Sequence, residues 1–379
     1  MRIKGRVVTP TRVIEDGEVR VEGDRIVAVG RNRSRTSESQ WILPGFVDIH
    51  VHGGGGHSFT TGDPVAARAA ARFHLQHGTT TMLASLVTAP IKEMRQSTVD
   101  LKPLVDDGTL EGLHYEGPYL SATRCGAQNP DHLRDPDPRE LARLLDVGGV
   151  RMVTVAPELP RALPTIRMLV GRGVIAAIGH TDATYEQTWA GIDAGATVGT
   201  HVCNGMRPVH HREPGPVVAL LDAPNVVCEQ IPDGVHLHDG MLRHAIHTAG
   251  PGRIALITDA IDAAGMSDGR YDLGGQAVRV EQGVARLVRD GAIAGSTLTM
   301  AAGLRRTVQS GVSIVDASRM ASGTPATVLG RYDQLGSLAP GKRADLVLLD
   351  DKLTVTGVLR GGAPYPDERG VGGWLARAI

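Results

Sequence analysis

Short runs of branched and small apolar residues recur along the chain, and the spacing of polar residues between them changes near Pro44. From Met1 to about Gln40 apolar and polar positions alternate, in RVVTP and in GEVRVEGDRIVAVG, with breaks at Asp16-Gly17 and Gly23-Asp24. That period predicts a half-buried antiparallel sheet, too small to stand alone. Arg31–Gln40 is polar and reads as a loop. From Pro44 onward eight apolar runs appear: Phe46–His52, Thr79–Leu86, Leu110–Glu116, Arg151–Ala156, Val174–His180, Thr197–His201, Val226–Ile231 and Ile254–Asp259. Between them lie segments of helical periodicity, among them Asp63–His77, Arg139–Asp146, Pro164–Arg172, Thr184–Ala194 and Asp239–Thr248.

Regular β–α alternation implies parallel strands joined by right-handed crossovers. Eight such units predict an α/β chain closed as a (β/α)8 TIM-type barrel. An open doubly wound sheet is the alternative, but no G-x-G-x-x-G follows the first strand. Beyond Asp259, Tyr271–Ile293 reads as hairpin pieces, and Leu298–Gln309 and Val315–Gly330 read as two helices. The tail, Leu335–Leu349, turns at Pro340-Gly341 into an apolar strand, with a further strand expected at Thr354–Leu359. Terminal strands joining the N-terminal ones give a small discontinuous β domain. The expected division is a β-sandwich of residues 1–43 plus 336–379 and a barrel of residues 44–335.

Candidate chemistry gathers where the barrel strands end. PGFVDIHVHGGGG places His50 and His52 two apart at the end of an apolar run, so both imidazoles face one way. The third run ends in Glu116, the fifth in His180, the sixth in His201 and the eighth in Asp259. A parallel barrel brings all strand C-termini to one face, which carries the active site. One buried histidine is ordinarily a hydrogen-bonded core residue, but six ionisable groups that each end an apolar run call for a common purpose. Nitrogen and carboxylate donors suit Zn²⁺, Fe²⁺, Co²⁺ or Mn²⁺ better than Ca²⁺ or Mg²⁺. Such an ion acidifies a water and polarises a carbonyl. Asp259 is placed to take the water's proton and pass it to a leaving nitrogen.

Composition narrows the partners. Net charge is -1 with no basic block, and aromatic residues are 3% of the chain. Neither favours nucleic acid. Cys125, Cys203 and Cys228 form no C-x-x-C, so no disulfide framework or thiolate zinc site is indicated. MRIKGRVVTP lacks an apolar signal core and no long apolar stretch follows, so a cytoplasmic chain without a membrane partner is expected.

The chain resembles the amidohydrolase superfamily, and more closely its N-acetylglucosamine-6-phosphate deacetylase family. PGFVDIHVHG is similar to the superfamily's first-strand signature. More specific are HYEGPYL at 114–120, GHTDAT at 179–184, THVCNGM at 200–206, HHREPG at 210–215, DGVH at 233–236, TDA at 258–260 and GSTLTM at 295–300. The resemblance implies that Glu116, His180 and His201 hold the principal metal, with His50 and His52 holding a second that Glu116 bridges. It implies one or two divalent ions per subunit, zinc first among them. Asp259 matches the family's catalytic acid/base, Asn204 and Gly205 sugar-phosphate contacts, Arg212 a phosphate-binding arginine and His236 a substrate-binding histidine. Leu298 falls in a matched substrate motif. The implied partner is a phosphorylated amino sugar, and the implied assembly a homodimer in which a phosphate contact crosses between subunits.

One departure stands in RCGAQNP. Gln128 occupies the place of a family histidine that polarises the amide carbonyl. Its NH₂ donates a hydrogen bond to an oxyanion but carries no charge, so slower chemistry or more reliance on the metal is expected. Cys125 sits in the same loop, a candidate for the site mouth. Two rival readings are another amidohydrolase, acting on a different N-acyl or cyclic amide, and a non-catalytic scaffold. Many cyclic amidases bridge their metals with a carboxylated lysine, but none of Lys4, Lys92, Lys102, Lys342 and Lys352 ends a barrel strand. A scaffold should have broken ligand positions, and none is broken.

Overall fold

The computed structural model describes residues 1–32 and 40–365; most of the polar stretch expected as a loop at Arg31–Gln40 lies outside the described residues. Contacts between Cα atoms divide the chain into two units. One comprises residues 1–48, 72–81 and 299–379, the other 49–71 and 82–298. Among the described residues no helix is long and apolar enough to cross a membrane.

In the first unit, strands from both ends of the chain share a seven-stranded sheet. Trp41–Pro44 is the junction. It pairs parallel with Arg2–Val8 and antiparallel with Leu346–Leu349. Arg2–Val8 continues into the antiparallel strands Val13–Glu22 and Arg25–Arg31, and Leu346–Leu349 into Val355–Arg360 and Ala363–Pro364. The alternation seen in the sequence is the reason for its core. Val19 and Val21 point inward and are buried with Ile3, Ile26, Ile42 and Leu348, while Arg20 and Glu22 are exposed.

The eight predicted apolar runs all form strands, in the order of one parallel sheet. They are Phe46–Val51, Thr79–Val87, Gly112–Glu116, Val150–Val155, Ile175–Ile178, Val198–Gly199, Val227–Gln230 and Ile254–Leu256. The last and first approach one another through the Asp259 N–H, which donates to His50 O at 2.9 Å, and through the His52 N–H, which donates to Ala260 O at 2.8 Å. The result is a nearly closed (β/α)8 barrel. Helices follow the strands as predicted, for example Pro138–Leu145, capped by the Asp137 carboxylate, and Tyr185–Asp193, where Thr184 and Gln187 form a capping box. Two further helices, Ile91–Asp106 and Gly215–Asp222, did not stand out in the sequence, although the first buries a helical stripe of Met94, Thr98, Leu101 and Leu104. Gly215–Asp222 is buried on nearly every side, so its sequence is apolar all round and shows no helical period.

The stretch at Tyr271–Ile293 is a three-stranded antiparallel sheet, Gly269–Leu273, Gln276–Glu281 and Val284–Leu287. Leu273, Val278 and Leu287 bury its inner face with Val87 and Ile261. Val315–Gly330, expected as one regular helix, is Ile314–Ser318, a π-helical turn at Arg319–Gly323, and Thr324–Val328. Pro325 has no N–H for the carbonyl four residues back and its ring crowds that carbonyl, so a widened turn precedes it.

Candidate active site

The strand period carries His50 and His52 to the barrel interior side by side, both buried. The same period puts His114 and Glu116 on the inner face of the third strand. His114 anchors a polar belt across the barrel. Its Nδ1 lies 2.9 Å from Ser85 Oγ, its Nε2 2.9 Å from Thr154 Oγ1, and Thr154 Oγ1 lies 3.0 Å from Thr200 Oγ1. Burial, with the nearby His50, holds His114 well below the usual imidazole range, so it is a neutral strut.

His180, His201 and Asp259 lie just past their strands. Their φ angles of 45°, 28° and 49° fall in the left-handed region, which non-glycine residues enter only where the surroundings hold them. Main-chain bonds do so: Ser121 N to His180 O at 2.9 Å, Asn204 N to His201 O at 3.0 Å, and Ser296 N to Asp259 O at 2.7 Å. Gly205, at φ 57°, passes close beneath the His180 ring, where an added Cβ would stand 2.9 Å from Nδ1.

The six groups converge as two sets, His50–His52–Asp259 and Glu116–His180–His201. Glu116 Oε1 is 2.9 Å from both His180 Nε2 and His201 Nε2 and 3.5 Å from His50 Nε2. Its Oε2 is 3.2 Å from His52 Nε2. Asp259 Oδ1 is 3.2 Å from His52 Nε2 and 3.5 Å from His50 Nε2.

The outer ring nitrogens test whether this set fits a metal. His52 Nδ1 faces Ser85 O at 3.1 Å, His180 Nδ1 faces Arg124 O at 2.9 Å, and His50 Nδ1 faces Glu229 Oε2 at 3.0 Å. Each of those partners accepts hydrogen bonds, so each Nδ1 carries the hydrogen and Nε2 turns its lone pair inward. His180 and His201 Nε2 are then 3.1 Å apart, and His50 and His52 Nε2 3.2 Å apart. Lone pairs and carboxylates at that spacing require positive charge among them. In the ion-free protein protons supply it. Burial opposes charge on His52, but hydrogen bonds to Asp259 and Glu116 outweigh it and raise its pKa to about 9. His50 and His180 are raised for like reasons, against burial and chiefly by Glu116. Burial would raise Glu116 and Asp259, yet His50 and the other facing imidazoles hold both below the usual carboxylate range. Divalent cations meet the same demand, and the donor set fits them.

A pocket of about 220 Å³ opens onto this centre. Of the residues singled out in the sequence, His52, Glu116, Gln128, His180, His201, Asn204, Gly205, His236 and Asp259 line it. His50 lies wholly buried. His236 Nδ1 donates to Asp233 Oδ2 at 2.7 Å. Gln128 Nε2 donates to Glu116 Oε2 at 2.5 Å, and its Oε1 accepts from the Thr88 N–H at 2.8 Å. Arg212, Leu298 and Cys125 are not among the lining residues. Arg212 is exposed, its Nη1 2.7 Å from His211 Nε2. Leu298 is half-buried and its N–H donates to Ser296 Oγ, while Cys125 is half-buried one residue before the pocket-lining Gly126. Leu273, Ala292 and Ile293 bring the three-stranded insertion to the pocket wall.

Glu229 did not stand out in the sequence. It is fully buried on the seventh strand, and its Oε2 accepts from the His201 N–H at 3.1 Å as well as from His50 Nδ1. An acidic residue inside the apolar run VVCEQI is the signal that could have found it.

Fold and centre together define a barrel hydrolase of the metal-dependent kind, and the chain belongs to the amidohydrolase family, whose model matches residues 41–366. Relatives include deacetylases of N-acetylhexosamine 6-phosphates. It is 34% identical to N-acetylglucosamine-6-phosphate deacetylase of Lysinibacillus sphaericus, over 92% of this chain and 91% of that one. It is 37% identical to N-acetylgalactosamine-6-phosphate deacetylase of Escherichia coli O157:H7, over 92% and 95%. A solved N-acetyl-D-glucosamine-6-phosphate deacetylase variant from Mycobacterium smegmatis, in complex with N-acetyl-D-glucosamine-6-phosphate, superposes with a TM-score of 0.93 and 46% identity, covering 96% of this chain and 98% of that one.

Proposed function

We propose that this chain hydrolyses the acetamide of N-acetyl-D-glucosamine 6-phosphate, yielding D-glucosamine 6-phosphate and acetate. The observation that carries the reading is the convergence of the four Nε2 atoms and the two carboxylates of Glu116 and Asp259 on a sugar-sized pocket. In this reading Glu116, His180 and His201 hold the principal ion, and His50 and His52 a second, with Glu116 shared. A divalent ion there supplies an acidified water and an electrophile for the amide carbonyl. Asp259, ionised and at the pocket edge, accepts the proton of the attacking water. It returns that proton to the nitrogen as the C–N bond breaks, so acetate leaves and the amine remains on the sugar. The Gln128 NH₂ keeps one hydrogen on Glu116 and offers the other to the carbonyl oxygen as negative charge builds there.

Asn204, Gly205 and His236 contact the sugar in this assignment. Arg212 lies outside its own chain's pocket on the exposed loop 208–213, which suits a phosphate contact delivered across a homodimer, where guanidinium and phosphate pair in two-pronged fashion. The relatives' metabolic class favours a cytoplasmic setting. A second reading, N-acetylgalactosamine 6-phosphate as substrate, has its own support in the 37% identical Escherichia coli relative.

The test is acetate release by the zinc-loaded chain from N-acetylglucosamine 6-phosphate, N-acetylgalactosamine 6-phosphate and unphosphorylated N-acetylglucosamine. Preferred turnover of the first supports the reading. Preference for the second moves the substrate to the galacto epimer, and turnover of neither phosphate ester overturns the deacetylase assignment.

A further inference from the structure

We propose that Glu229 is a positioning residue for the His50–His52 half of the centre, fixing the Nδ1–H form of His50 so that Nε2 is presented to the second ion. The inference rests on the reading that His50 holds an ion, and it goes beyond it in naming what makes that half competent.

Glu229 is fully buried in the seventh strand, and one of its oxygens, Oε1, has no hydrogen-bond partner. A carboxylate so placed is costly to bury and only partly compensated. Its other oxygen makes two contacts, to His50 Nδ1 at 3.0 Å and to the His201 N–H at 3.1 Å. It is not among the residues lining the pocket, so it acts through these partners. The other outer partners differ in kind. His52 and His180 lean on neutral main-chain carbonyls, and His201 Nδ1 has no partner. His50 alone is backed by a carboxylate, which fixes the ring's tautomer and orientation and makes Nε2 a stronger donor. The same oxygen holds the main chain of His201 at its left-handed turn. One atom thereby sets a strand-borne ligand of one half against a turn-borne ligand of the other.

The test titrates the ion-free full chain with Co²⁺, read by visible absorption and by metal content after gel filtration. Glu229→Gln keeps an oxygen for both hydrogen bonds; Glu229→Leu fills similar space and accepts none. Two equivalents are expected for the wild type. The leucine variant should bind the second about 10- to 100-fold more weakly, the cost typical of losing an outer-shell partner, and glutamine should restore most of it. Wild-type affinity for the second ion in Glu229→Leu overturns the role. Should the leucine chain not fold, the cobalt-loaded wild type decides. A paramagnetically shifted, exchangeable ring N–H that disappears in His50→Asn supports the proposal, and its absence overturns it. A wild type that takes up a single equivalent removes the two-ion reading itself, and this inference with it.

Discussion

The two halves of the centre are made by different local structure. His50 sits on a regular strand and His52 one residue past its end, both aimed by its pleat and without unusual backbone. His180, His201 and Asp259 sit on left-handed turns just beyond their strands, held by main-chain hydrogen bonds from Ser121, Asn204 and Ser296. Asp259 crosses between them, turn-borne in the chain yet grouped by distance with the strand-borne pair. The strand half is cheap to build and easy to read. The turn half stores backbone strain, and its geometry depends on the loops that carry the pocket. The difference separates a histidine pair set by the barrel from one set by the rim, and substitutions can tell the two apart.

Glu116 is the carboxylate that touches both halves, so its loss should be the largest single effect. Glu116→Ala removes the oxygens that lie 2.9 Å from His180 and His201 and 3.2 Å from His52. Uptake of both ions should fall together, with activity reduced by about 10³-fold or more, since ion-supplied charge stabilisation is worth several kcal/mol. Metal analysis beside steady-state rates checks it. Retention of one tightly held ion would show that the halves do not share this ligand.

That contrast also explains what the sequence could and could not disclose. The eight strands were legible because a strand in a parallel barrel is buried on both faces and reads as an apolar run. His50 and His52 were legible because period two puts them on one face. His180, His201 and Asp259 were legible as strand-ending polar residues, but their left-handed backbone was not, since nothing about a histidine or aspartate in sequence announces positive φ. Glu229 was hidden inside an apolar run by the same burial that makes it matter. Arg212 kept its motif but stands on an exposed loop, not among the residues lining its own chain's pocket, and a motif carries no information about where its loop stands in the fold.

Asp259→Asn comes next in size. The amide cannot take a proton from water, so turnover should drop by about 10²- to 10⁴-fold, the usual worth of a positioned acid–base group. The Glu116–His180–His201 ion should stay bound. Rates measured at matched metal content separate the two effects, and a rate within a few-fold of wild type would take the proton-transfer role from Asp259.

A smaller effect follows from pH. In the ion-free chain His52 holds its proton up to about pH 9, so an entering ion must displace it. Apparent affinity should therefore rise with pH, by about tenfold per unit for each proton displaced, and level off once His52 is neutral without the ion. Calorimetry of zinc uptake in buffers of different ionisation enthalpy counts the protons released. An affinity that stays flat from about pH 6 to pH 8 would mean that the strand-borne pair is already neutral and ready for the ion.

The smallest change is expected at Gln128, which lines the pocket beside Glu116. Its side chain spans from the Thr88 N–H, which donates to Oε1 at 2.8 Å, to Glu116 Oε2, which accepts from Nε2 at 2.5 Å. A neutral histidine can reproduce that span, Nδ1 accepting from Thr88 and Nε2–H donating across the pocket. Its ring N–H is more acidic than an amide N–H and so a stronger donor to the oxyanion, while Nδ1, facing the Thr88 N–H, stays unprotonated. Gln128→His should therefore leave turnover equal or better, with metal content unchanged. Loss of activity with both ions still bound would place the importance of Gln128 in its geometry beside Glu116. The glutamine would then count among the parts that hold the ligand, and the oxyanion would depend on the ions alone.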